Sequence, residues 1–243
     1  MRGTAVVTGA ASGIGRSTAL RLQLEGYDVV GVDRDADSLS DLESRGIRSV
    51  VADLARPDDR DRVVDAGIGA TALANVAGSM LLKPILDVQI DDLRALYAVN
   101  VEPVWDLTSR IGRTMPAGSA IVNVSSSAAK HQIMTDAAVY ASSKAAVLSI
   151  TRSFAYAFAP RVRVNAICPG AVDTPMRDAA LAAQATAEGL DAGTLGQARI
   201  AAVPLQRVAT PDECAALIWF LLSDDAAFMT GQAINFTGGL ITW

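Results

Sequence analysis

Short apolar runs rich in Val, Ile and Ala recur along the chain, at GTAVVTG, YDVVGVD, IRSVVAD, ATALANVAG, SAIVNVSS and RVRVNAICPG, with a last one at GQAINFTGG. Longer segments rich in Ala, Leu and charged residues separate them. A run apolar on both faces suits a strand covered from each side, so this alternation predicts βαβ units and a doubly wound parallel sheet flanked by helices, a three-layer α/β/α fold. Leu20, Leu22 and Leu24 alternate as they would in a strand, yet the length of their segment and Gly26 at its end, a helix C-cap, favour a helix. Thr210, Pro211, Asp212 and Glu213 make a capping box with proline at the first helical position, which predicts a helix start ahead of IWFLLSDD. No linker rich in Pro, Gly or Ser divides residues 1–243, so a single domain is expected. From about Arg177 to Ile200 an Ala-rich stretch is interrupted by Gly189, Gly193 and Gly196, which predicts short mobile helices and suggests a substrate lid near residues 175–202.

Composition narrows the function. The chain has 243 residues, 51% of them hydrophobic, enough for a large core. It has no run of about eighteen apolar residues, and strand-like sequence begins at once, so neither a membrane span nor a signal peptide is expected and the cytoplasm is the expected location. Cys168 and Cys214 lie far apart and read as reduced core residues. A net charge of −5 argues against nucleic acid and for a small-molecule partner. His131 is the only histidine, which makes histidine-based hydrolytic triads and zinc sites improbable and leaves no metal centre expected. In AAKHQIMTD it reads as a solvated or pocket-rim residue.

TGAASGIG, Thr8 to Gly15, lies between the first strand and its helix. Glycines there allow a tight turn and close approach of a bound group, while the helix offers free N–H groups and a positive dipole end to phosphate. A purely structural turn is the plain alternative. The acid Asp33, about twenty residues on at the end of the second strand, turns the reading toward a dinucleotide. Its carboxylate would accept hydrogen bonds from adenosine ribose and repel a 2′-phosphate, so NAD is favoured over NADP; Arg34 beside it would soften that preference if it swings toward the ribose.

VYASSKAAV, Val139 to Val147, sets Tyr140 four residues before Lys144, neighbours on one face if the run is helical. An exposed surface pair is the simplest account of that spacing alone. The other motifs change it, because together they resemble the short-chain dehydrogenases/reductases over almost the whole chain. Thr8, Gly9, Gly13 and Gly15 match the family's T-G-x-x-x-G-x-G turn, Asp53-Leu54 its Asp-Leu pair at the adenine, and Asn75 to Gly78 its N-N-A-G, with Val76 departing. Asn100 in YAVNV corresponds to the active-site asparagine, YASSK to Y-x-x-x-K, and PGAVDTP to the P-G segment bordering the nicotinamide. TGQAINFTGG is similar to T-G-x-x-x-x-V-D-G-G, with Thr237 in place of the aspartate.

The resemblance implies a Rossmann-like fold and cofactor contacts along the chain. These fall on Gly9, Ser12, Gly13, Ile14 and Gly15 in the turn, on Asp33, Arg34, Asp53 and Leu54 at the adenosine, and on Asn75, Ala77 and Gly78. Tyr140, Lys144, Pro169, Gly170, Val172 and Thr174 complete the set. Thr174 also suits a helix N-cap before Pro175. The chemistry is alcohol oxidation, in which a base takes the hydroxyl proton as hydride leaves the carbon. A tyrosine with an ordinary pKa near 10 needs roughly 4 kcal/mol of phenolate stabilisation to act near neutrality. Lys144 and the positive charge of oxidised nicotinamide would supply it, making Tyr140 the acid/base. The resemblance further implies that Lys144 binds the nicotinamide ribose and that Asn100 holds a water relaying protons to solvent. Two family rules for the substrate-positioning serine disagree: a thirteen-residue offset from the tyrosine selects Ser127 and the strand register selects Ser126. Register is the stronger constraint, so Ser126 is expected.

Cys168, inside an apolar run, reads as a buried side chain rather than a nucleophile. Trp105, Trp219 and Trp243 read as core or interface residues. Met80, Met134 and Met176 would give a soft pocket wall if they face inward. The family's frequent tetramers and the apolar ending LITW predict a homotetramer. The expected activity is NAD-dependent interconversion of a secondary alcohol, for instance a polyol or sugar-derived alcohol, and its ketone. The alternatives are a 3-oxoacyl-thioester reductase using NADPH and a non-catalytic dinucleotide-binding regulator.

Overall fold

The computed structural model describes residues 2–131 and 135–242. Strands and helices alternate as β1 (Thr4–Thr8), α1 (Gly13–Leu24), β2 (Asp28–Asp33), α2 (Ala36–Ser44), β3 (Arg48–Val51), α3 (Pro57–Ala66) and β4 (Ala72–Asn75). The chain continues through α4 (Ile90–Asn100), α5 (Glu102–Thr114), β5 (Ser119–Val124), α6 (Ala138–Phe158) and β6 (Val162–Pro169). It ends with α7 (Pro175–Glu188), α8 (Ala192–Ala201), α9 (Pro211–Leu222) and β7 (Ala233–Phe236). Among the described residues the strands form one seven-stranded sheet in the order β3-β2-β1-β4-β5-β6-β7, parallel at each pairing, with Val6 opposite Val30 on one side and Leu73 on the other.

Two apolar layers follow from the alternation. On one face Ala19 and Leu22 of α1, Leu39 and Leu42 of α2 and Ile218 and Leu221 of α9 cover the sheet. On the other lie Val63 of α3, Leu107 and Ile111 of α5 and Val147, Phe154 and Phe158 of α6. This is the doubly wound, three-layer arrangement that the apolar runs predict.

The ambiguous leucines are helical: Leu22 is buried while Leu24 points to solvent, and Gly26 ends the helix with φ +89°, its N–H donating to the Gln23 carbonyl at 3.0 Å. Thr210 and Glu213 form the reciprocal capping box at the start of α9. One expectation is corrected. Gly189 does end α7, in the left-handed conformation at φ +66°, but Gly193 and Gly196 lie inside α8 rather than breaking the segment. Asp191 caps that helix by accepting from the Thr194 N–H at 2.8 Å, and a Cβ on Gly196 would come within 3.2 Å of Leu181 on α7. Close helix-to-helix contact, not chain breaking, is what the second glycine permits. Met134 and Trp243, named above for the pocket and an interface, lie outside the described residues.

Candidate active site

In this strand order the chain leaves β1 to one side for β2 and β3 and returns on the other for β4, so a crevice opens beyond the C-terminal ends of β1 and β4. Thr8 staples its two sides, its hydroxyl accepting from the N–H groups of Val76 and Ala77 at 3.0 and 3.1 Å. The glycine turn closes tightly beneath. A Cβ on Gly15 would lie 1.9 Å from the Gly9 carbonyl oxygen, and one on Gly9 would lie 2.9 Å from the Ala77 backbone. Ser12 begins α1 without capping it through its side chain, leaving the positive end of that helix to the crevice.

Asp33 ends β2 beside this turn. Its carboxylate accepts from the Ala11 N–H at 3.0 Å and from the Arg34 and Asp35 N–H groups at 2.8 and 3.2 Å, which fixes its orientation. Arg16, the nearest cation in the turn, is held away by Asp41 at 2.5 Å. Asp53 and Leu54 border the same end. The Leu54 carbonyl accepts from the Arg60 guanidinium at 2.9 Å, and Arg60 in turn holds Asp106 of α5 at 2.9 Å. Arg60 is a contact that sequence reasoning missed, since nothing marks it among the other arginines.

At the opposite end, α6 presents Tyr140 and Lys144 one turn apart, both buried, with the ammonium 5.9 Å from the tyrosine ring centre. The Lys144 ammonium donates to the Val124 carbonyl at 3.0 Å. Ser126, just past β5, shares a hydrogen bond with the Tyr140 hydroxyl and accepts from the Ala128 N–H at 3.2 Å. Ser125 instead donates to the Lys144 carbonyl at 2.8 Å. Burial raises the Tyr140 pKa, partly offset by the Ser126 hydrogen bond. Burial also pushes Lys144 down to about 8. Each group alone therefore resists becoming charged, and a phenolate beside an ammonium would relieve both.

Between these ends runs a cleft of about 720 Å³ lined by the glycine turn, Asp33, Arg34, Asp53, Leu54, Ala77 and Gly78. Ser126, Tyr140, Lys144, Pro169, Gly170, Val172 and Thr174 also line it. Gly78 leaves room for the neighbouring groups: a Cβ there would meet Lys144 Nζ at 3.1 Å and Asn100 Oδ1 at 3.4 Å. Thr174 caps α7, accepting from the Arg177 N–H at 3.3 Å, and would touch a Cβ on Gly13 at 3.0 Å. The helix-cap reading of its position is met, and the residue also lines the cleft.

Two expected site residues do not line the cleft. Asn75 turns beneath it, donating to Thr108 and Asn123 at 3.1 and 2.8 Å, so its side chain joins strands instead of meeting a ligand. Asn100, at the end of α4, has its amide engaged: Nδ2 donates to the Ser79 carbonyl at 2.9 Å and to Ser143 at 3.0 Å, while Oδ1 accepts from the Ser79 N–H at 2.8 Å. Thr237 uses its hydroxyl on the Ile241 backbone at 3.2 Å. His131 lines the cleft rim. Cys168 and Cys214 are free thiols in the core, where burial pushes Cys214 up to about 12. Among the described residues no cluster of His, Cys, Asp or Glu could hold a metal ion, and no helix is long and apolar enough to cross a membrane.

Known proteins are similar in sequence and fold. A family model described as enoyl-(acyl carrier protein) reductase matches residues 9–241. An L-xylulose reductase of Cavia porcellus is 33% identical, the match covering 98% of this chain and 96% of the relative. A dehydrogenase/reductase SDR family member 6 of Aquarana catesbeiana is 32% identical, over 96% of this chain and 95% of the relative. Among solved structures, a variant of the actinorhodin polyketide ketoreductase with NADPH superposes with a TM-score of 0.91 at 27% identity, covering 99% of this chain and 97% of that one. With its dinucleotide crevice and a Tyr-Lys pair at one end of the cleft, the chain belongs to the short-chain dehydrogenase/reductase family, as an NAD(P)-dependent oxidoreductase acting on CH–OH groups.

Proposed function

We propose that the protein interconverts a secondary alcohol and its ketone with a preference for NAD, and that Tyr140 is the acid/base. The observation that carries this reading is the buried Tyr140, bonded to Ser126 and one turn from Lys144, at one end of a cleft whose other end holds the Asp33 carboxylate. The residues fit a nicotinamide dinucleotide: the uncapped start of α1 suits the pyrophosphate, and Asp33 suits an unphosphorylated ribose. Arg34 and Asp53-Leu54 would border the adenosine, and Pro169, Gly170, Val172 and Thr174 the nicotinamide. When bound, the cofactor supplies the hydride acceptor and a positive charge.

The chain's own groups do the rest. Tyr140 as phenolate takes the proton of the substrate hydroxyl during oxidation and returns it during reduction. Ser126 donates to the same substrate oxygen and fixes its place. Lys144 stabilises the phenolate and, as the family resemblance implies, binds the ribose. Asn100 anchors the Ser79 backbone and, through Ser143, α6; its remaining acceptor capacity suits a water that relays protons to solvent. We place the chain in one domain, with residues 175–202 as a cover over the site, in a cytoplasmic homotetramer; a monomer by light scattering would refute the assembly.

A 3-oxoacyl-thioester reduction with NADPH is the second reading, favoured by a structural neighbour that is a polyketide ketoreductase with NADPH. The decisive assay is NADH and NADPH formation across polyols, secondary alcohols and 3-hydroxyacyl thioesters, with Tyr140→Phe as control. Turnover with NAD that vanishes in the variant is expected. Equal turnover by the variant would remove Tyr140 from the chemistry, and faster reaction with NADP and thioesters would favour the second reading.

A further inference from the structure

The half of the cleft beyond Tyr140 has a chemistry of its own. Met80, Leu82, Val99, Leu181, Ile200 and Val203 line the cleft away from the glycine turn in sequence, contributed by the segment after β4, by α4, by α7 and α8, and by the turn that leaves α8. Tyr140 itself stands in an apolar cluster with Leu96 and Val139, against which Met80 and Ala128 pack. The acids lining the whole cleft are Asp33 and Asp53, both at the adenosine end, and among the described lining residues there is no Asn, Gln or Glu. Two arginines also line the cleft, and each is already engaged, Arg177 by Asp178 at 3.0 Å and Arg199 by Gln184. Beyond Ser126, Tyr140 and Lys144, the polar side chains away from the glycine turn and Asp33 are Ser79, Ser125, Ser127, His131 and Thr174; Ser125 is taken up by the Lys144 carbonyl and Thr174 by the start of α7.

Polyol recognition demands the opposite. Every hydroxyl carried into such a cleft leaves water and must find a partner that can both accept and donate, or its desolvation opposes binding. One substrate oxygen has Ser126 and Tyr140; further hydroxyls along a sugar chain would compete for a few serine hydroxyls, His131 and two arginines that are already engaged, against a wall made mostly of methyl and thioether groups. We infer that the substrate is an apolar secondary alcohol or ketone, with one polar group at the reacting carbon and a compact hydrocarbon body, rather than a polyol or sugar. This rests on the proposed oxidoreductase reading for its reacting carbon, and it runs against the polyol expectation and the name of the L-xylulose reductase relative.

The test has two arms on the full chain. In turnover, cyclohexanol and 2-octanol are compared with xylitol and ribitol in the presence of NAD, and kcat/KM is expected to be at least about 100-fold higher for the apolar pair. In binding, cyclohexanone, 2-octanone and L-xylulose are titrated by calorimetry onto the NADH complex of Tyr140→Phe, which reads the pocket without chemistry. Only the two apolar ketones are expected to bind, and Ile200→Asn is expected to weaken them about tenfold. If the ketones bind but nothing turns over, the inference on the pocket stands and the catalytic reading falls. Binding or turnover of the polyols equal to or better than the apolar compounds would overturn it, as would indifference of both classes to Ile200→Asn.

Discussion

Arg60 holds the carbonyl of Leu54 from below, at 2.9 Å, with a guanidinium that is itself buried and anchored on Asp106 of α5. The loop that borders the Asp33 end of the cleft therefore hangs on a side chain that does not line it. Replacing Arg60 by Met should raise KM for NAD about tenfold while leaving kcat within about twofold, because the hydrogen bond to the Leu54 carbonyl, roughly 1.5 kcal/mol, is lost together with its anchor on Asp106, far from Tyr140. Affinity for AMP should fall in parallel, and Arg60→Lys should recover part of it. A matching fall in kcat would show a general loss of structure instead.

Lys144 gives a pH signature. Burial sets its folded pKa at about 8 against an ordinary value of 10.5, so between those values the unfolded chain holds a proton that the folded chain has lost, and stability rises with pH. Below pH 8 the cost of a buried ammonium is fully present, about 3 kcal/mol. In urea unfolding, Lys144→Met should gain on the wild type at pH 7 and lose that advantage progressively toward pH 9.5. Comparing the two proteins cancels the buried thiols, which titrate in both. A difference that does not change with pH would refute a buried cationic lysine.

Asn123 is fully buried, accepting from Asn75 at 2.8 Å and donating to Thr151 at 2.9 Å. Its replacement by Ala should cost about 2–4 kcal/mol in chemical denaturation, since it leaves a cavity and takes one hydrogen bond each from Asn75 and Thr151, which keep their bonds to Thr108 and the Val147 carbonyl. Loss below about 1 kcal/mol would mean that water heals the gap.

Asp33 is expected to govern cofactor choice. Asp33→Ala should lower the ratio of kcat/KM for NAD over NADP at least about tenfold, as the repulsion of a 2′-phosphate goes and Arg34 remains beside it. The measurement is the ratio, not the rate, because the Ala11 N–H also loses its acceptor. An unchanged ratio would place the discrimination elsewhere.

The sheet was legible in the sequence because each strand is buried on both faces and so writes an unbroken apolar run, as TAVVT and SAIVNV do. The start of α9 was legible because a capping box is a local exchange of hydrogen bonds between Thr210 and Glu213. Tyr140 and Lys144 were legible as a pair by spacing alone, though only the ordered motifs around them raised that pair above a surface coincidence. What sequence reading missed was set by partners distant in the chain. Gly196 looks like a helix breaker until Leu181 is seen against it. Asn75 belongs to a cofactor motif, yet its amide is taken up by Asn123, 48 residues away. Arg60 acquires meaning only through Leu54 and Asp106.

The buried amides of Asn75 and Asn123 lead to Thr151, two helical turns beyond Lys144 on α6. The helix bearing Tyr140 and Lys144 is thereby keyed to the strands, and the Lys144 bond to Val124 is a second key. Against that fixed floor, the outer wall built from α7 and α8 is a replaceable part. On the proposed mechanism, the side chain at Ile200 should accept redesign for a new substrate without shifting Tyr140 or Lys144, so specificity should be open to engineering while the chemistry stays put.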